Sequence, residues 1–399
     1  MFVNKSECCY RSQTANRVIQ DIEFWFEGVF LVLVGTFGLF GNAMSIAVLS
    51  RNEMKNVFNR LLIFLSFIDS IMILFAIMNY SIINAFGVKL EIYNYMFPYF
   101  VNPVSNMILC ASVFTVIAIA FERFMAVCFP LKYRSISCTQ SVNTRVGKHV
   151  IPVIAISIFI NLPKFFETEL VELNTDGTNT TEINFDITEL RKNETYIYFY
   201  VHWARLFGTG LIPMVVLIFL NMNIYLKIRS TKKFQSARRR TPMNRNNSFP
   251  LKTIGEGLVV SPESHAQPEE NETSSNNSNN NVPTRRDIKM ALILSLIVML
   301  FFFSHLPRIV LNLHEFMMLA DIRACGEEFC PPVWFMCMVP ISHFALVINS
   351  SINILIYCSV GDNFIRRLLT KSTKGVSIAT TAGVSRPSHT IVQYGECQL

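Results

Sequence analysis

The stretch Ala111-Ser-Val-Phe-Thr-Val-Ile-Ala-Ile-Ala-Phe121 runs straight into Glu122-Arg123-Phe124, ending a segment without a charged residue from Ile92 to Phe121. A guanidinium at the foot of so apolar a helix is costly unless it has a partner and a task. Similar runs recur near Val29–Ser50, Leu61–Val88, Tyr93–Phe121, Val150–Pro163, Tyr196–Leu226, Ile288–Phe316 and Val333–Val360. Most exceed the ~18–20 residues that a bilayer-spanning helix needs, and the fourth is the weakest by length. One such run alone reads equally well as a buried helix of a soluble protein; seven in series do not. Across 399 residues, 51% are hydrophobic, 16% are charged and 34 are Phe, too apolar for a soluble multi-domain chain. The expected fold is an all-α membrane protein, a seven-transmembrane helix bundle.

Charge fixes the expected topology. Met1–Gln20 is polar and lacks the apolar centre of a cleavable signal, so the first run is expected to act as its own insertion signal. Asp21, Glu23 and Glu27 precede that run, whereas Arg51, Lys55 and Arg60 follow it. Basic residues stay cytoplasmic, which puts the N-terminus outside, in the plasma membrane reading. Lys132, Arg134, Arg145 and Lys148 after run three agree, as do Arg229, Lys232, Lys233 and Arg238–Arg240 after run five. The segment after run four is acidic instead, with Glu167, Glu169, Glu172, Asp176, Glu182, Asp186 and Glu189. The net charge of +7 is thus a topology signal and gives no support to a nucleic-acid partner.

Asn4, Asn179 and Asn193 head glycosylation triplets on the outer side, the first two being the better acceptors because Asn193 lies close to run five. Triplets at Asn246, Asn271 and Asn276 face the cytoplasm and are expected to stay unmodified. Of ten cysteines only Cys8, Cys9, Cys325 and Cys330 fall outside, where oxidation is favoured. Cys325 and Cys330 either close a local loop or pair with Cys8 or Cys9; sequence does not choose.

The chain divides into an extracellular N-terminus at 1–24, a seven-helix domain at 25–370 and a cytoplasmic tail at 371–399. Within the domain, a polar, basic and then Asn/Ser-rich insertion at about 231–284 reads as disordered. No internal repeat relates the two halves, which counts against a transporter. Asp362-Asn-Phe-Ile-Arg-Arg-Leu-Leu369 places its apolar residues on one face and Arg366 and Arg367 on another, a short amphipathic helix on the inner lipid surface after run seven.

Seven spans with Glu122-Arg123-Phe124 at the foot of the third resemble the rhodopsin-like family of G-protein-coupled receptors. The resemblance covers about Phe24–Thr370 and implies coupling to a heterotrimeric G protein through Arg123. It also implies an inner latch from Asp287 at the start of run six, a role for Tyr357, and arrestin binding by the Ser/Thr-rich tail. Asp69 is the only charge in run two, and a carboxylate at that depth costs several kcal/mol unless paired or coordinated. Asn42, Ser112, Asn349 and Asn353 stand where the family builds its sodium site, and hard oxygen donors suit that ion. A neutral Asp–Asn network that only packs helices is the plainer alternative. Pro163, Pro213 and Pro307 are expected to kink runs four, five and six.

Several positions depart from the family pattern. Asn353-Ile-Leu-Ile-Tyr357 has Ile354 where the family has proline, and His305 stands where a Trp is usual. Pro98 stands at the head of run three where a cysteine is usual, and no cysteine lies in Lys164–Glu194, so the usual disulfide there is missing. The Trp of run four is missing too. Asn161-Leu-Pro-Lys-Phe-Phe-Glu167, Tyr200-Val-His-Trp203, Glu122-Arg-Phe-Met-Ala-Val-Cys-Phe-Pro-Leu131 and Asn349-Ser-Ser-Ile-Asn353 look like the invertebrate FMRFamide-type neuropeptide receptors.

Two ligand chemistries are excluded. Run seven has no Lys for a retinal Schiff base, and Ser105 holds the place of the Asp that binds amines in this family. Run six offers a polar stripe instead: His305, Arg308, Asn312 and Glu315, spaced by three, four and three along one helix face. His202 and Arg205 on run five, Asn102, Ser105 and Asn106 on run three, and His343 on run seven complete the candidate ligand site. Polar groups at this depth face a bundle interior or a cavity. The acidic outer segments would attract a cationic ligand, and the resemblance implies a short amidated peptide, with Glu315 pairing its arginine and Arg205 or Arg308 donating to its terminal carbonyl. An anionic small molecule or lipid carboxylate is the runner-up. A seven-span metal hydrolase is the remote alternative, disfavoured because His202, His305 and His343 lie at different depths and include no His-x-x-x-His pair.

Overall fold

The computed structural model describes residues 11–51, 55–174, 181–240, 285–325 and 329–355, with backbone alone for 172–174, 181–184, 232–240, 285–291, 320 and 322–323. Among these, seven helices are long and apolar enough to cross a membrane. They are spans one to seven: Gln13–Leu49, Val57–Ala85, Glu91–Cys128, Val142–Phe166, Glu194–Thr231, Leu292–Met317 and Val333–Leu355. Helices satisfy their own backbone groups, which is what hydrocarbon demands. Their large outward side chains, such as Leu33, Phe40, Phe67 and Phe159, are apolar, as a lipid-facing surface requires.

Span four corrects the sequence reading. It begins at Val142, well before Val150, because Ser141 Oγ accepts from Thr144 N at 3.2 Å and caps the helix there. Its first turns therefore carry Arg145, Lys148 and His149. Pro163 does not kink this helix; it opens a 3₁₀ turn, Leu162–Phe166, that ends it. The interior prolines are Pro152, Pro307 and Pro340. Pro213 is the second residue of the helix Ile212–Arg240, directly after a π-helical stretch. That helix runs past Thr231 to Arg240, so helix extends into the segment read as disordered from 231.

The bundle has two unlike ends. At the Arg123 end the core is apolar, built from Phe58, Leu61, Leu65, Val116, Ile119 and Leu217 with their neighbours. The opposite end carries an antiparallel hairpin between spans four and five, β1 (Thr168–Asn174) and β2 (Thr181–Ile187), in register Thr168↔Ile187 through Asn174↔Thr181. The apolar alternation Ile183, Phe185, Ile187 is its sequence signature. Phe185 stacks on Phe97 at 4.3 Å between ring centroids. This contact ties the hairpin to the head of span three, beside Pro98, where the missing disulfide would otherwise act.

At the hairpin end, spans one, two, three and five widen into π turns: Phe24–Phe30, Ile77–Ala85, Phe97–Val101, Ile197–Ala204 and Leu206–Leu211. Pro103 and Pro213 follow two of these stretches. Each lacks the N–H that would serve the carbonyl one turn back, and the wider turn is the local accommodation. Gly87, with φ 63°, closes span two in a conformation that costs any other residue more.

Spans one and seven touch through glycine. A Cβ on Gly38 would lie 2.8 Å from Ser351 Cα, and one on Gly41 would lie 2.7 Å from Ile354 Cγ2. Gly38→Val should therefore destabilise the bundle by about 1–3 kcal/mol through overpacking. A thermal-shift measurement on purified protein reads this directly; an unchanged melting temperature would mean the two spans do not pack so closely.

Tyr357, the tail, the Asp362–Leu369 helix, Asn4 and Asn179 lie outside the described residues, as does the Asp287 side chain. Cys325 and Cys330 are disulfide-bonded, and so is Cys138 at the Arg123 end, where the sequence reading placed no oxidised cysteine. Asn193 caps the start of span five, its Oδ1 accepting from Tyr196 N at 3.1 Å.

Candidate functional site

Halfway along the bundle sits Asp69, 1% exposed. Its Oδ1 accepts from Ser112 Oγ at 2.8 Å and Ser350 Oγ at 3.1 Å, and its Oδ2 from Asn353 Nδ2 at 2.8 Å. Asn42 Nδ2 donates to the Ser350 carbonyl at 3.0 Å, which draws span one into the same network. Four of the five residues read from sequence thus converge, but Asn349 does not bond Asp69. One residue before Ser350 it is turned ~100° around the helix, and Ser350 takes its place. Asn42 Oδ1 is buried without a hydrogen-bond partner. One carboxylate, two hydroxyls and that spare amide oxygen make a donor set that fits a hard monovalent cation.

At the Arg123 end the adjacent acid is occupied elsewhere. Glu122 Oε1 accepts from Tyr133 Oη at 2.8 Å and Arg145 Nη2 at 2.9 Å, and Oε2 lies 3.1 Å from His149 Nε2. Tyr133 belongs to the helix Pro130–Thr139 that follows span three. Burial, and next the Glu122 carboxylate, push the Tyr133 phenol above its usual range, so it remains a protonated donor at neutral pH. Arg123, 5% exposed, instead lays its guanidinium 3.9 Å over the Phe58 ring. Glu122 thus binds span four and the helix that precedes it.

Three polar recesses lie toward the hairpin end. Arg308 lines all three, which adjoin one another. The first is bounded with Arg205, Asn106, Asn161, Lys164 and Tyr200. The second adds Asn79, Tyr80, Ser105 and His343. The third adds His305 and Asn312. Helical spacing explains this, since His305, Arg308 and Asn312 share one face of span six. Among the described residues neither Arg205 nor Arg308 has an ion-pair or side-chain hydrogen-bond partner, whereas Lys164 is held by Glu167 at 2.6 Å. The floor thus presents two uncommitted guanidinium groups, suited to a carbonyl or carboxylate.

Three residues assigned to the site from sequence lie off these walls. Asn102 works indirectly, its carbonyl and Oδ1 accepting from Asn106 Nδ2 at 2.8 and 3.1 Å. His202 is buried, its ring 6.0 Å from that of Phe316. Glu315 is half-buried beyond Asn312. His343 is on a wall but already engaged: Nδ1 lies 2.7 Å from Glu27 Oε1, and its ring stacks on Tyr80 at 3.9 Å. Glu27, read from sequence only as a topology charge, is 5% exposed and also accepts at its carbonyl from Ser81 Oγ. Lys164, Tyr200 and Tyr80 were missed as lining residues, because a lone polar residue in an apolar run has no pattern to mark the face it takes.

Such a bundle, with a polar recess at one end and an arginine at the other, is the architecture of a seven-span receptor. Residues 41–357 match the family model of seven-transmembrane receptors of the rhodopsin family, and the chain belongs to that family. Membership removes the hydrolase reading. Among curated relatives, the FMRFamide receptor of Drosophila melanogaster is 28% identical over 354 residues, covering 87% of this chain and 54% of its own. The chain thus spans about half the length of that relative. The FMRFamide peptide receptor frpr-18 of Caenorhabditis elegans is 32% identical over 147 residues, 35% of this chain and 33% of its own. The probable G-protein coupled receptor frpr-1 of the same organism is 26% identical over 239 residues, 55% of this chain and 63% of its own.

Proposed function

We propose that this chain is a plasma-membrane receptor, N-terminus outside, for a short, cationic, C-terminally amidated peptide of the FMRFamide type, and that it activates a heterotrimeric G protein. The observation that carries the reading is the pair Arg205 and Arg308, uncommitted on the recess floor beneath an acidic hairpin. Glu169 and Asp186 lie directly opposite each other across β1 and β2, both exposed. Like charges so placed cost stability, and a cationic ligand end would relieve that cost. The peptide's carbonyl end then goes down to the arginines, its cationic end stays near the acids, and Glu315 pairs with an arginine of the ligand. Two of the relatives above being FMRFamide receptors supports the same class. A calcium and cyclic-nucleotide readout in transfected cells, against a panel of amidated neuropeptides, tests it; silence to the whole panel beside a response to a small carboxylate would favour the anionic-ligand reading, which the same two arginines suit.

Arg123 is proposed to contact the G protein, with Asp287 as latch, Tyr357 as part of the switch and arrestin engaging the tail. The Asp69 network is proposed to hold Na⁺ and to favour the inactive state. An ion shifts a two-state equilibrium only by binding one state better. Agonist affinity should accordingly fall as Na⁺ replaces a larger cation at constant ionic strength, and Asp69→Asn should abolish the dependence. A wild-type affinity indifferent to Na⁺ would leave the network as packing alone.

A further inference from the structure

We propose that Arg205 and Arg308 hold one chloride ion on the floor of the first recess, and that this ion makes the site select a carboxamide over a free carboxylate. The inference rests on the reading above that the hairpin end is extracellular, where chloride is the chief anion, and that the ligand is an amidated peptide. Both guanidinium groups border that recess, and the charge of each acts on the other. Among the described residues no carboxylate lines any of the three recesses. Two acids of the same end are already spent: Glu167 on Lys164 at 2.6 Å and Tyr196 at 2.8 Å, and Glu27 on His343 at 2.7 Å. Two like charges facing one recess inside a membrane bundle are costly until an anion joins them. The wall hydroxyls are engaged, since Tyr200 Oη donates to the Ile160 carbonyl at 2.7 Å and Thr209 Oγ1 to the Arg205 carbonyl at 2.9 Å. The guanidinium N–H groups are the donors left. The space swept by the centre of a water-sized sphere is about 20 Å³, which holds a particle or two of water size and therefore one bare halide.

Bare, the arginine pair would prefer the wrong end group. A guanidinium takes a carboxylate through paired charge-assisted hydrogen bonds. A carboxamide is neutral: its oxygen accepts, but its N–H groups donate, and on a floor of guanidinium groups those donors meet only other donors. With chloride between Arg205 and Arg308, the carboxamide oxygen accepts from a guanidinium edge while its N–H donates to the ion. One of the two fixed charges is then neutralised before the ligand arrives. A carboxylate brought to the same place meets a like charge, and such repulsion is how a site rejects a close competitor. Chloride is thus a co-ligand that turns an acid-seeking pair of arginines into an amide-seeking one.

The full chain in nanodiscs, without agonist, is titrated with sodium chloride against sodium gluconate at constant sodium and ionic strength, and the chloride NMR linewidth is read. Wild type should show a saturable broadening beyond that of empty nanodiscs, lost in Arg205→Gln and in Arg308→Gln. Arg205→Lys and Arg308→Lys cover a Gln variant that fails to fold; they keep the charge without the planar fork and should bind chloride at least about threefold more weakly. No saturable broadening in wild type, or broadening unchanged in all four variants, would overturn the site. This titration uses no peptide, so a wrong ligand class cannot mimic its failure. Binding of FMRFamide and of its free-acid form is then compared in the two salts. Exchanging chloride for gluconate should weaken the amide at least about fivefold and strengthen the acid, because the like charge facing the acid is removed. An amide-to-acid preference indifferent to chloride would overturn the co-ligand role, whereas binding of neither form would count against the peptide reading and leave the titration to decide the site.

Discussion

Arg123→Ala should abolish G-protein activation while surface expression and ligand binding stay measurable. Arg123 is 5% exposed and rests on Phe58 by a cation–π contact at 3.9 Å. Its sequence neighbour Glu122 spends its carboxylate on Tyr133, Arg145 and His149, so the adjacent acid does not neutralise it. Arginines at the centre of an interface cost 2 kcal/mol or more when truncated, which is upwards of about thirtyfold in affinity. The proposed ligand site lies at the opposite end of the bundle. Surface labelling and radioligand binding are therefore the controls, and agonist-stimulated nucleotide exchange is the readout. Undiminished exchange would place the coupling elsewhere.

The recess yields the second large effect. Arg308→Gln should weaken any ligand that docks an acceptor on the floor, because Arg308 borders all three recesses. Losing one partner of a desolvated charged contact costs ~2–5 kcal/mol, again upwards of about thirtyfold. Glu315 separates the ligand classes. Seven residues beyond Arg308, it lies about 10 Å further along the helix. A short peptide spans that distance; a small carboxylate held by Arg205 and Arg308 does not. Glu315→Gln should weaken an arginine-containing peptide strongly, and replacing the peptide's arginine by citrulline should then cost little more. Potency within about twofold of wild type in Glu315→Gln, with Arg205→Gln and Arg308→Gln each inactive, would remove the peptide-arginine pairing and favour the small anion.

The seven spans were legible because hydrocarbon imposes one rule on every residue of a run. Span four was misjudged because its start is set by a single capping hydroxyl, Ser141, and not by hydrophobicity. The hairpin had a visible period-two signal in Ile183, Phe185 and Ile187, masked by the charge count of the same segment. Within the site, the stripe His305, Arg308 and Asn312 was readable because helical spacing alone places it on one face. Ser350 was not, since a difference of ~100° decides between it and Asn349. Nor was the commitment of Glu122 to Arg145 and of His343 to Glu27, because such pairings depend on how separate helices meet.

The most direct measurement is peptide-stimulated nucleotide exchange on a purified heterotrimeric G protein by the full chain in nanodiscs, comparing FMRFamide-type peptides with their free-carboxylate forms and with small carboxylates and lipid acids. The account predicts exchange stimulated by the amidated peptide and lost in Arg308→Gln and in Arg123→Ala, with peptide binding lost only in the first. Stimulation by a small carboxylate or lipid acid, with no response to any amidated peptide, would contradict it.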